Sequence, residues 1–386
     1  MRDMSGKRLQ IALIGCGNIA ERRYLPGFAT IADRAKLAGI YDADTARMQA
    51  TAARHEARTY PSLAALLADT RIDAVINLTP PAMHYEVNLA ALRAGKHLLT
   101  EKTIAGTVEQ ATTLIEEARA RGLVFLSAPA IGLGAQMTDL RRWVDRGTIG
   151  RVISVRAQLS TMGPAAWTEY TSDPTWFYQR GVGPLPDLGI YMLHTMTDLF
   201  GPARRMTAFS GISIPERVTL YGPVAGKEIA VTADDNTQML LDFADPAGEG
   251  RALWGNLDSS FCVWQAPGPQ LELYGDRGVL AVDNIYDPKG TIRLWRGSRE
   301  GEPRWETLPP LTAWDADTRG LYIFEGARHL LACVRDGASP LLTPEQARHV
   351  LEIILAAPRS SREGRAIRLE TTFGYPKPWG TRMEIG

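Results

Sequence analysis

Apolar and polar positions alternate in blocks through the first third of the chain. Short apolar runs at 9–14, 36–41, 73–78, 97–100 and 123–127 have the length of strands. Between several of them, residues 62–69, 85–94 and 108–121 show the apolar spacing of amphipathic helices. Strands that alternate with helices are typical of a parallel sheet covered by helices. The pattern therefore predicts an α/β domain over residues 1–130.

The pattern changes after Pro129. A helix is predicted at 136–146, and alternating strands follow at 151–159, 203–212, 227–232, 237–243, 251–256, 269–274, 278–282 and 291–296. Such strands indicate a mostly antiparallel sheet. Two late helices at 321–336 and 344–357 and a last strand at 367–370 complete the prediction. We therefore expect a second, α+β domain over 131–386, whose final helices and tail can pack back on the first domain, and a substrate site in the cleft between the two.

Two glycines, Gly15 and Gly17, follow the first apolar run, and Asn18, Ile19 and Ala20 begin a helical pattern. This is the G-x-G-x-x-A form of the strand, turn and helix that holds a dinucleotide. Gly15 permits a turn with unusual backbone angles, and Gly17 lets the backbone approach a pyrophosphate without a Cβ in the way. The N–H groups at the start of the helix, at Asn18 and Ile19, then face the phosphate charge. Alone the motif is weak evidence, since glycine-rich turns also occur by chance.

An acidic residue, Asp42, follows the second predicted strand at 36–41. A carboxylate at this place accepts hydrogen bonds from both adenosine ribose hydroxyls and repels a 2′-phosphate. The alternative interpretation is a loop acid or a helix cap. The spacing from the glycine turn favours the ribose role, so NAD is the expected cofactor, with NADP as the open alternative.

Bulk composition narrows the class of function. The 386 residues carry 43 basic and 43 acidic side chains, so no net field attracts nucleic acid or an anionic membrane. No stretch of the sequence approaches the roughly 20 apolar residues of a membrane span. Three cysteines, far apart, suit a reducing compartment rather than a disulfide scaffold. We expect a cytoplasmic protein with a small-molecule substrate, no metal site, and no nucleic-acid or membrane partner.

Two short segments at strand ends carry candidate chemistry. Ligands bind outside the carboxyl ends of strands in open parallel sheets, so the loop from Thr79 and Pro80 to His84 should line the cofactor. Glu101 and Lys102 follow the next predicted strand, at the same edge. Near a nicotinamide, the Lys102 ammonium can hydrogen-bond a substrate hydroxyl and favour the alkoxide that forms as hydride leaves. The alternatives are a plain turn with a histidine in the first helical turn, and a solvated lysine at the strand end.

Three polar residues, Asp187, Tyr191 and His194, lie in an otherwise apolar segment. If the chain is α-helical from Asp187 onward, the three side chains fall within roughly 60° of one another around the helix axis. A buried polar stripe needs partners, and a substrate cleft provides them. Each residue alone has a structural alternative, as a helix cap, an amphipathic core residue or a satisfied core histidine. The three together favour a functional role.

An aromatic segment at 167–178 contains Trp167, Trp176 and Tyr178. Sugars present apolar C–H faces that stack on such rings, while their hydroxyls take hydrogen bonds. These three residues are the predicted substrate contacts. A packed loop or a subunit contact is an equally good interpretation of the same residues.

In this order, the motifs resemble those of the Gfo/Idh/MocA oxidoreductases, the family of glucose–fructose oxidoreductase and inositol dehydrogenase, over about residues 7–369. The resemblance implies an α/β Rossmann domain plus an α+β domain with an open-faced, mostly antiparallel sheet, which is commonly used for oligomer contacts. It also implies NAD(P)-dependent oxidation or reduction at a secondary carbon of a sugar, cyclitol or related polyol. A homo-oligomer, dimer or tetramer, is accordingly expected through the sheet of the second domain.

The resemblance also assigns roles to individual residues. Lys102 matches the lysine of the family's Glu-Lys-Pro motif, and Asp187 matches the acid of its Asp-x-x-x-His motif. Three departures stand out. Thr103 replaces the proline of the first motif, Val182 interrupts the usual three glycines, and Tyr191 stands where many members have histidine.

Because position 191 is a tyrosine, either Tyr191 or His194 is a candidate for the proton transfer. A free tyrosine has a pKa near ~10 and is a poor base at neutral pH, whereas the pKa of histidine is near ~6.5. A neighbouring Lys102 ammonium would lower the tyrosine pKa. Position in the motif favours Tyr191, and intrinsic acidity favours His194. Our hypothesis gives Tyr191 the proton transfer with Lys102 assisting, and has Asp187 and His194 orient the substrate.

Three functions compete at this point. The leading hypothesis is an NAD-dependent sugar or polyol dehydrogenase that transfers hydride. The second is a hydrolase or lyase that oxidises a glycoside transiently with tightly held NAD, and it would turn over without net cofactor reduction. The third is a non-catalytic NAD-binding sensor or regulator. Lys102 and the polar stripe of Asp187, Tyr191 and His194 argue against this third hypothesis. Fold alone does not choose among them.

Overall fold

The structure is a computed structural model that describes residues 7–168, 170, 172–244, 250–287, 290–296, 304–312 and 323–375. These residues divide into two compact units. The first unit takes residues 7–130 and 323–351, and the second takes the described parts of 131–312 together with 352–375. The last helix of the chain contributes residues to both units.

A parallel sheet forms the centre of the first unit. Its strands within the described residues are β1 (Leu9–Ile14), β2 (Ala35–Tyr41), β3 (Arg58–Thr59), β4 (Ala74–Asn77), β5 (His97–Thr100) and β6 (Phe125–Ser127). The strand order β3-β2-β1-β4-β5-β6 is that of a Rossmann fold, which confirms the predicted fold class. β4 and β6 are buried at every position, as expected for a sheet covered on both faces. β3 was not predicted, because its two residues are both exposed and carry no apolar signal.

Helices α1 (Thr45–His55), α2 (Leu63–Ala68), α3 (His84–Arg93) and α4 (Val108–Ala120) connect these strands. The predicted helices at 62–69, 85–94 and 108–121 are confirmed. Side chains of Asp44, Ser62 and Thr107 cap α1, α2 and α4 by accepting a hydrogen bond from a backbone N–H of the first turn. The apolar spacing alone predicted α2, α3 and α4, and α1 was not predicted although Asp44 caps it.

The segment after the glycine turn is irregular. Residues Ala20–Tyr24 form a π-helix, and Leu25–Ile31 continue as a 3-10 helix. Pro26 has no N–H to donate to an earlier turn. Gly27 lies against the ring of Phe324, where a Cβ would come within 2.2 Å of a ring carbon. A regular helix was expected after Ala20. The chain instead forms a π-helix and then a 3-10 helix, and this path packs it against the ring of Phe324.

The second unit contains α5 (Ala135–Asp145), α6 (Ile190–Phe200) and a large mixed sheet. Its strands are β7 (Val152–Ser160), β8 (Ala203–Gly211), β9 (Glu216–Val218), β10 (Glu228–Ala230), β11 (Asn236–Phe243), β12 (Leu253–Ser260), β13 (Leu271–Gly275), β14 (Gly278–Val282), β15 (Arg293–Arg296), β16 (Arg304–Thr307) and β17 (Ile367–Arg368). The order in the described part of the sheet is β16-β15-β14-β13-β7-β12-β11-β8-β17. β7 and β12 pair in parallel and the other neighbours pair antiparallel, which confirms a mostly antiparallel sheet.

The two faces of this sheet differ in burial. Inward positions such as Met239 and Leu257 are buried, and α6 packs on β7 and β12. The opposite face presents Phe209, Leu240 and Trp254, whose side chains are 84%, 53% and 57% exposed. β9 and β10 form a separate two-stranded ribbon, so the predicted strand at 227–232 does not join the large sheet.

Two late helices, α7 (Glu325–Asp336) and α8 (Pro344–Glu363), match the helices predicted at 321–336 and 344–357. Residues 321 and 322 of the first prediction lie outside the described residues. α7 packs against β5 in the first unit, and Ser127 N–H at the end of β6 donates to the carbonyl of Leu342 (3.2 Å). Across the residues that the structure describes, we find no helix with the length and apolar character that a bilayer crossing requires.

Candidate functional site

The glycine turn has the geometry that close approach of a ligand requires. Gly15 has a φ of +97°, and a Cβ there would lie 2.8 Å from the carbonyl oxygen of Leu78. Its N–H donates to the carbonyl of Tyr41 (2.8 Å), so the turn is tied to the end of β2. At Gly17, by contrast, a Cβ would meet no heavy atom of the described residues within 4 Å. Gly15 is thus needed for the fold of the turn, and Gly17 leaves open space beside the backbone, as a bound pyrophosphate needs.

Asp42 lies just beyond β2, with its carboxylate facing the glycine turn. It accepts hydrogen bonds from the N–H groups of Cys16 (2.6 Å) and Asp44 (2.8 Å), and from Arg47 through Nη2 (2.8 Å) and Nε (3.2 Å). Desolvation favours the neutral acid, but these donors outweigh it and lower the pKa of Asp42. The carboxylate is therefore ionised at neutral pH. Arg47 was missed by the sequence analysis, which had no predicted helix at 45–55.

A buried polar network lies beneath the loops that follow β4 and β5. The side-chain oxygen of Asn77 accepts from Thr79 N (3.1 Å) and Oγ1 (2.7 Å), and its Nδ2 donates to Asn88 (2.8 Å). Asn88 in turn donates to Thr100 Oγ1 (3.1 Å) and to the carbonyl of Ile104 (3.2 Å). These bonds tie both loops to the sheet. Asn88 was not predicted, and its only sequence signal is a polar residue among apolar neighbours on α3.

His84 links the same two loops. Its Nδ1 lies 2.6 Å from the carbonyl oxygen of Thr103, and its Nε2 lies 2.8 Å from that of Thr79. The ring is fully buried, and this burial lowers the pKa of His84 despite the two carbonyl partners. His84 therefore supports the loop from beneath. Its direct contact with a cofactor stays a prediction.

Lys102 and Glu101 follow β5, as predicted. Glu101 is buried, and its carboxylate accepts from the hydroxyl of Tyr24 (2.7 Å) and from the N–H of Lys102 (3.2 Å). Its own N–H donates to the carbonyl of Asn77 (3.0 Å). The Lys102–Thr103 peptide bond is cis. The backbone at Lys102 thus continues from β5. Through Glu101 it is hydrogen-bonded to Asn77 of β4 and to Tyr24 of the helical segment after the glycine turn.

Asp187, Tyr191 and His194 lie in the second unit. Asp187 belongs to a π-helix at Leu185–Gly189, and α6 carries Tyr191 and His194. The premise of a regular α-helix from Asp187 onward is therefore wrong for its first turn, where the N–H of Ile190 donates to the carbonyl of Leu185 across five residues. Asp187 and His194 are buried, whereas Tyr191 is half-buried.

The ring of Tyr191 packs edge-on against Tyr286, with centroids 5.7 Å apart and an interplanar angle of 86°. Tyr286 follows β14, and its N–H donates to the side chain of Asn284 (2.9 Å). The sequence analysis missed Tyr286, because nothing local relates that loop to α6. The contact restricts how the phenol of Tyr191 can turn.

The aromatic segment is a packed cluster with one exposed ring. Trp176 is 39% exposed and lies on Phe177 with centroids 3.7 Å apart, and its Nε1 donates to the hydroxyl of Tyr170 (3.2 Å). Trp167 is half-buried, and its Nε1 donates to Thr161 (3.2 Å). Residues 169 and 171 lie outside the described residues. The cluster offers Trp176, and part of Trp167, as stacking surfaces.

Tyr178 has a different place. It is fully buried, and its hydroxyl accepts from the N–H of Ala165 (2.9 Å) and donates to the carbonyl of Met162 (3.4 Å). Burial chiefly raises the pKa of Tyr178 to about 12, and the negative charge of Asp187 contributes to the rise. Asp187 is thus within electrostatic reach of this segment. Tyr178 supports it from beneath, which narrows the set of substrate-stacking candidates to Trp167 and Trp176.

A buried ion pair fixes the segment from the other side. Arg217 on β9 donates to Asp235 (2.7 Å) and, through Nη1, to the carbonyls of Met162 (3.2 Å) and Phe261 (2.6 Å). Its guanidinium also lies 5.5 Å from the centre of the Tyr178 ring. Both charged side chains are almost completely buried. The structure thus divides the predicted residues between the units: the glycine turn and Lys102 follow β1 and β5 in the first unit, and Asp187, Tyr191, His194 and the aromatic segment lie in the second.

Two family models match the chain. A model described as the oxidoreductase family with an NAD-binding Rossmann fold matches residues 9–128. The GFO/IDH/MocA C-terminal domain matches residues 137–281. One match lies in each unit, and together they cover well over half of the sequence.

Three individual relatives are 18–26% identical to this chain. D-apiose dehydrogenase of Paraburkholderia graminis is 26% identical over 95% of this chain and 91% of its own length. A scyllo-inositol 2-dehydrogenase (NADP(+)) of Bacillus subtilis is 26% identical over 78% of this chain and 80% of its own. A levoglucosan dehydrogenase solved with NADH superposes with a TM-score of 0.78 at 18% identity, over 95% of this chain and all of that one. At that identity the superposition shows a shared fold.

Proposed function

Because the chain belongs to the Gfo/Idh/MocA oxidoreductase family, we propose that it is an NAD-dependent dehydrogenase acting on a secondary alcohol or ketone of a sugar, cyclitol or related polyol. The observation that carries the proposal is the placement of Lys102. It follows β5 at the carboxyl edge of an NAD-binding sheet, on a backbone anchored by Glu101. In open α/β sheets this edge is where ligands bind.

The residues around the glycine turn fit a dinucleotide. Gly15 and Gly17 would admit the pyrophosphate, with the N–H groups of Asn18 and Ile19 facing its charge. Thr79, Pro80 and Glu101 line the same edge of the sheet. When bound, NAD accepts or returns a hydride at its nicotinamide. The ionised carboxylate of Asp42 favours the ribose hydroxyls of NAD over the 2′-phosphate of NADP.

Four side chains are proposed to act on the substrate. The Lys102 ammonium donates a hydrogen bond to the reacting oxygen and stabilises negative charge there. The phenolate of Tyr191, which the Lys102 ammonium favours, takes the hydroxyl proton in oxidation, and the resulting phenol returns it in reduction. Asp187 and His194 orient the remaining hydroxyls, since both are buried polar groups on the same helical segment.

Trp176 and Trp167 are proposed to stack on the apolar face of a sugar ring. Their indole N–H groups are held by Tyr170 and Thr161, so the rings have fixed orientations. We further propose that the open face of the large sheet, with Phe209, Leu240 and Trp254, is the contact of a homo-oligomer, a dimer or tetramer.

The test is an assay of the purified protein with NAD and, separately, NADP against sugars, inositols and sugar acids. Reduced-cofactor absorbance and product mass are read in parallel, with Lys102→Ala as the control variant. Reduction by wild type that is lost in Lys102→Ala supports the proposal. Product formation without net reduction would instead indicate transient oxidation by a hydrolase or lyase. Tight NAD binding with neither signal would indicate a sensor.

A further inference from the structure

A buried hydrogen bond connects the segment after the glycine turn to the residue before Lys102. The hydroxyl of Tyr24 lies 2.7 Å from Oε1 of Glu101, and the Tyr24 side chain is fully buried. The two residues are 77 positions apart in sequence. Tyr24 belongs neither to the glycine motif nor to any loop assigned to the candidate site.

The hydrogen bond from Tyr24 affects the candidate site through Glu101. Its carboxylate is buried, so it depends on donors to remain in place. Tyr24 supplies one donor, and the N–H of Lys102 supplies another to Oε2 (3.2 Å). A carboxylate held from one side by a fixed phenol therefore sets the position of the backbone N–H of Lys102 on the other side.

The phenol is itself rigidly held. Tyr24 is the last residue of the π-helix, and its ring packs edge-on against Phe324 with centroids 6.3 Å apart. Phe28 packs on the same ring at 5.5 Å, and Gly27 leaves the space that Phe324 fills. Burial, with the negative charge of Glu101, raises the pKa of Tyr24 well above its usual value. The hydroxyl therefore stays protonated and acts as a donor.

We propose that Tyr24 is a positioning residue for Lys102, acting through the carboxylate of Glu101. The inference rests on the proposed function, in which the Lys102 ammonium contacts the reacting oxygen. Through this bond, the segment that follows the dinucleotide turn and the loop that carries the lysine are fixed to one another. A displacement of a catalytic group by about 1 Å is enough to lower a rate by about a hundredfold.

The variant that isolates this bond is Tyr24→Phe, because it removes the hydroxyl and keeps the ring against Phe324. The chain offers a matched control. Tyr60 is also buried in the first unit, and its hydroxyl donates to the carboxylate of Asp69 at the same distance of 2.7 Å. Tyr60→Phe therefore removes an equivalent bond away from Lys102. Glu101→Gln serves as a second variant, since its single amide oxygen cannot accept from both Tyr24 and the N–H of Lys102.

Two readouts separate positioning from a general loss of stability. The first is kcat with the substrate found in the assay, together with KM for NAD. We expect Tyr24→Phe to lower kcat about tenfold or more and to change KM for NAD less than about twofold, because the displaced group is the lysine and not the dinucleotide turn. Tyr60→Phe should leave kcat within about twofold of wild type, even if both variants melt at a lower temperature.

The second readout needs no substrate. Acetic anhydride acylates lysine amines, and mass spectrometry gives the rate at Lys102 alone. We expect the Lys102 rate to change at least about threefold in Tyr24→Phe and in Glu101→Gln, and to stay at the wild-type value in Tyr60→Phe. Equal Lys102 rates and equal kcat in Tyr24→Phe and Tyr60→Phe would overturn the positioning role. If the wild type oxidises no polyol, the proposed dehydrogenase function fails, while the acylation rates still decide the role of Tyr24.

Discussion

Arg47 holds the carboxylate of Asp42 with two nitrogens: its Nη2 lies 2.8 Å from Oδ1, and its Nε lies 3.2 Å from Oδ2. The two side chains carry opposite preferences for a dinucleotide. The carboxylate favours ribose hydroxyls and disfavours a 2′-phosphate, whereas a guanidinium at that place binds a 2′-phosphate. With the pair intact, Asp42 engages the positive charge of Arg47, so under the proposed function we expect the carboxylate to set the preference.

Removing the carboxylate should therefore shift the cofactor preference. In Asp42→Ser we expect the ratio of kcat/KM for NADP to kcat/KM for NAD to rise about tenfold or more, because Arg47 becomes able to bind the 2′-phosphate. Initial rates with the two cofactors, on one substrate and at fixed ionic strength, give this ratio directly.

Two further variants test the cause. Adding Arg47→Met to Asp42→Ser should abolish the gain with NADP, since no guanidinium is left. Asp44→Ser removes a neighbouring carboxylate that is half exposed, caps α1 and lies 3.7 Å from Nη1 of Arg47. An equal shift in Asp44→Ser would show that the loss of either acidic partner of Arg47, and not of the Asp42 carboxylate in particular, sets the preference.

The two glycines of the turn should respond differently to a methyl group. Gly17→Ala should keep the melting temperature of wild type and weaken NAD binding about tenfold or more, because its Cβ fills space left for the pyrophosphate. Gly15→Ala should lower the melting temperature, because a φ of +97° costs an alanine about 1–3 kcal/mol and the Cβ also meets Leu78. Thermal melts and NAD titration separate the two effects.

Gly95→Ala is the control for these variants. Gly95 also has a positive φ, +75°, and a Cβ there meets no heavy atom of the described residues within 4 Å. It should lose stability from backbone strain alone and bind NAD as wild type does. A Gly17→Ala protein with unchanged NAD affinity would contradict the assignment of the turn.

His84 should make stability depend on pH. Burial lowers its pKa in the folded chain, with Lys102 acting in the same direction and the carbonyl partners and Glu101 opposing. Between the folded pKa and the ordinary value near ~6.5, the unfolded chain binds more protons than the folded one, so this contribution to stability falls as pH falls below about 6.5. Urea unfolding at several pH values should show a steeper loss below that pH in wild type than in His84→Gln.

The size of the His84→Gln effect at neutral pH is a separate check. Removing one partner of a buried hydrogen bond costs about 1–3 kcal/mol, and His84 joins two loops. His97 is the comparison: burial also lowers its pKa, so His97→Gln should remove a separate part of the pH dependence, and its ring accepts from the N–H of Val124 away from the loops. A pH dependence that disappears in His97→Gln and persists in His84→Gln would place the titration elsewhere.

Local signals explain what the sequence could predict. Apolar spacing is a property of neighbouring residues, so the strands around β1 and the helices α2 to α4 were predicted. The glycine turn was also legible, since a positive φ at Gly15 demands that residue. α1 was missed, because only Met48, Thr51 and Ala52 of its eleven residues are buried and the apolar stripe is weak.

The site depended on contacts that no local pattern encodes. Tyr24 meets Glu101 across 77 positions, and the ring of Tyr191 meets Tyr286 from a different element. The π-helix that carries Asp187 was also not predicted, because the 60° argument assumed 3.6 residues per turn throughout. These partners are determined by packing between distant segments, which a local sequence pattern does not show.

The open face of the large sheet should mediate self-association. Phe209→Lys and Trp254→Lys each place a charge among exposed apolar side chains, so the molar mass by light scattering should fall to that of a monomer. Trp264 is 74% exposed but lies outside the strands of the sheet. Trp264→Lys should leave the mass unchanged, and a wild-type monomer would rule out this contact.

The proton transfer at Tyr191 can be tested against His194. Tyr191→Phe keeps the ring against Tyr286 and removes only the hydroxyl, so any loss is chemical. We expect kcat to fall about a hundredfold or more, the usual contribution of a general base or acid, and the pH dependence of kcat to lose one apparent pKa. His194→Ala should lower kcat less than Tyr191→Phe and should chiefly raise KM, because its proposed role is to orient the substrate.

His194 is buried, so His194→Ala also leaves a cavity, and His194→Gln is the better matched variant. Glutamine can orient a hydroxyl but cannot act as a base near neutral pH. A His194→Gln protein that retains most of its kcat would therefore leave the proton transfer with Tyr191. If His194→Gln instead loses as much kcat as Tyr191→Phe was expected to lose, and Tyr191→Phe remains active with an unchanged pH profile, then histidine is the base and the tyrosine orients the substrate.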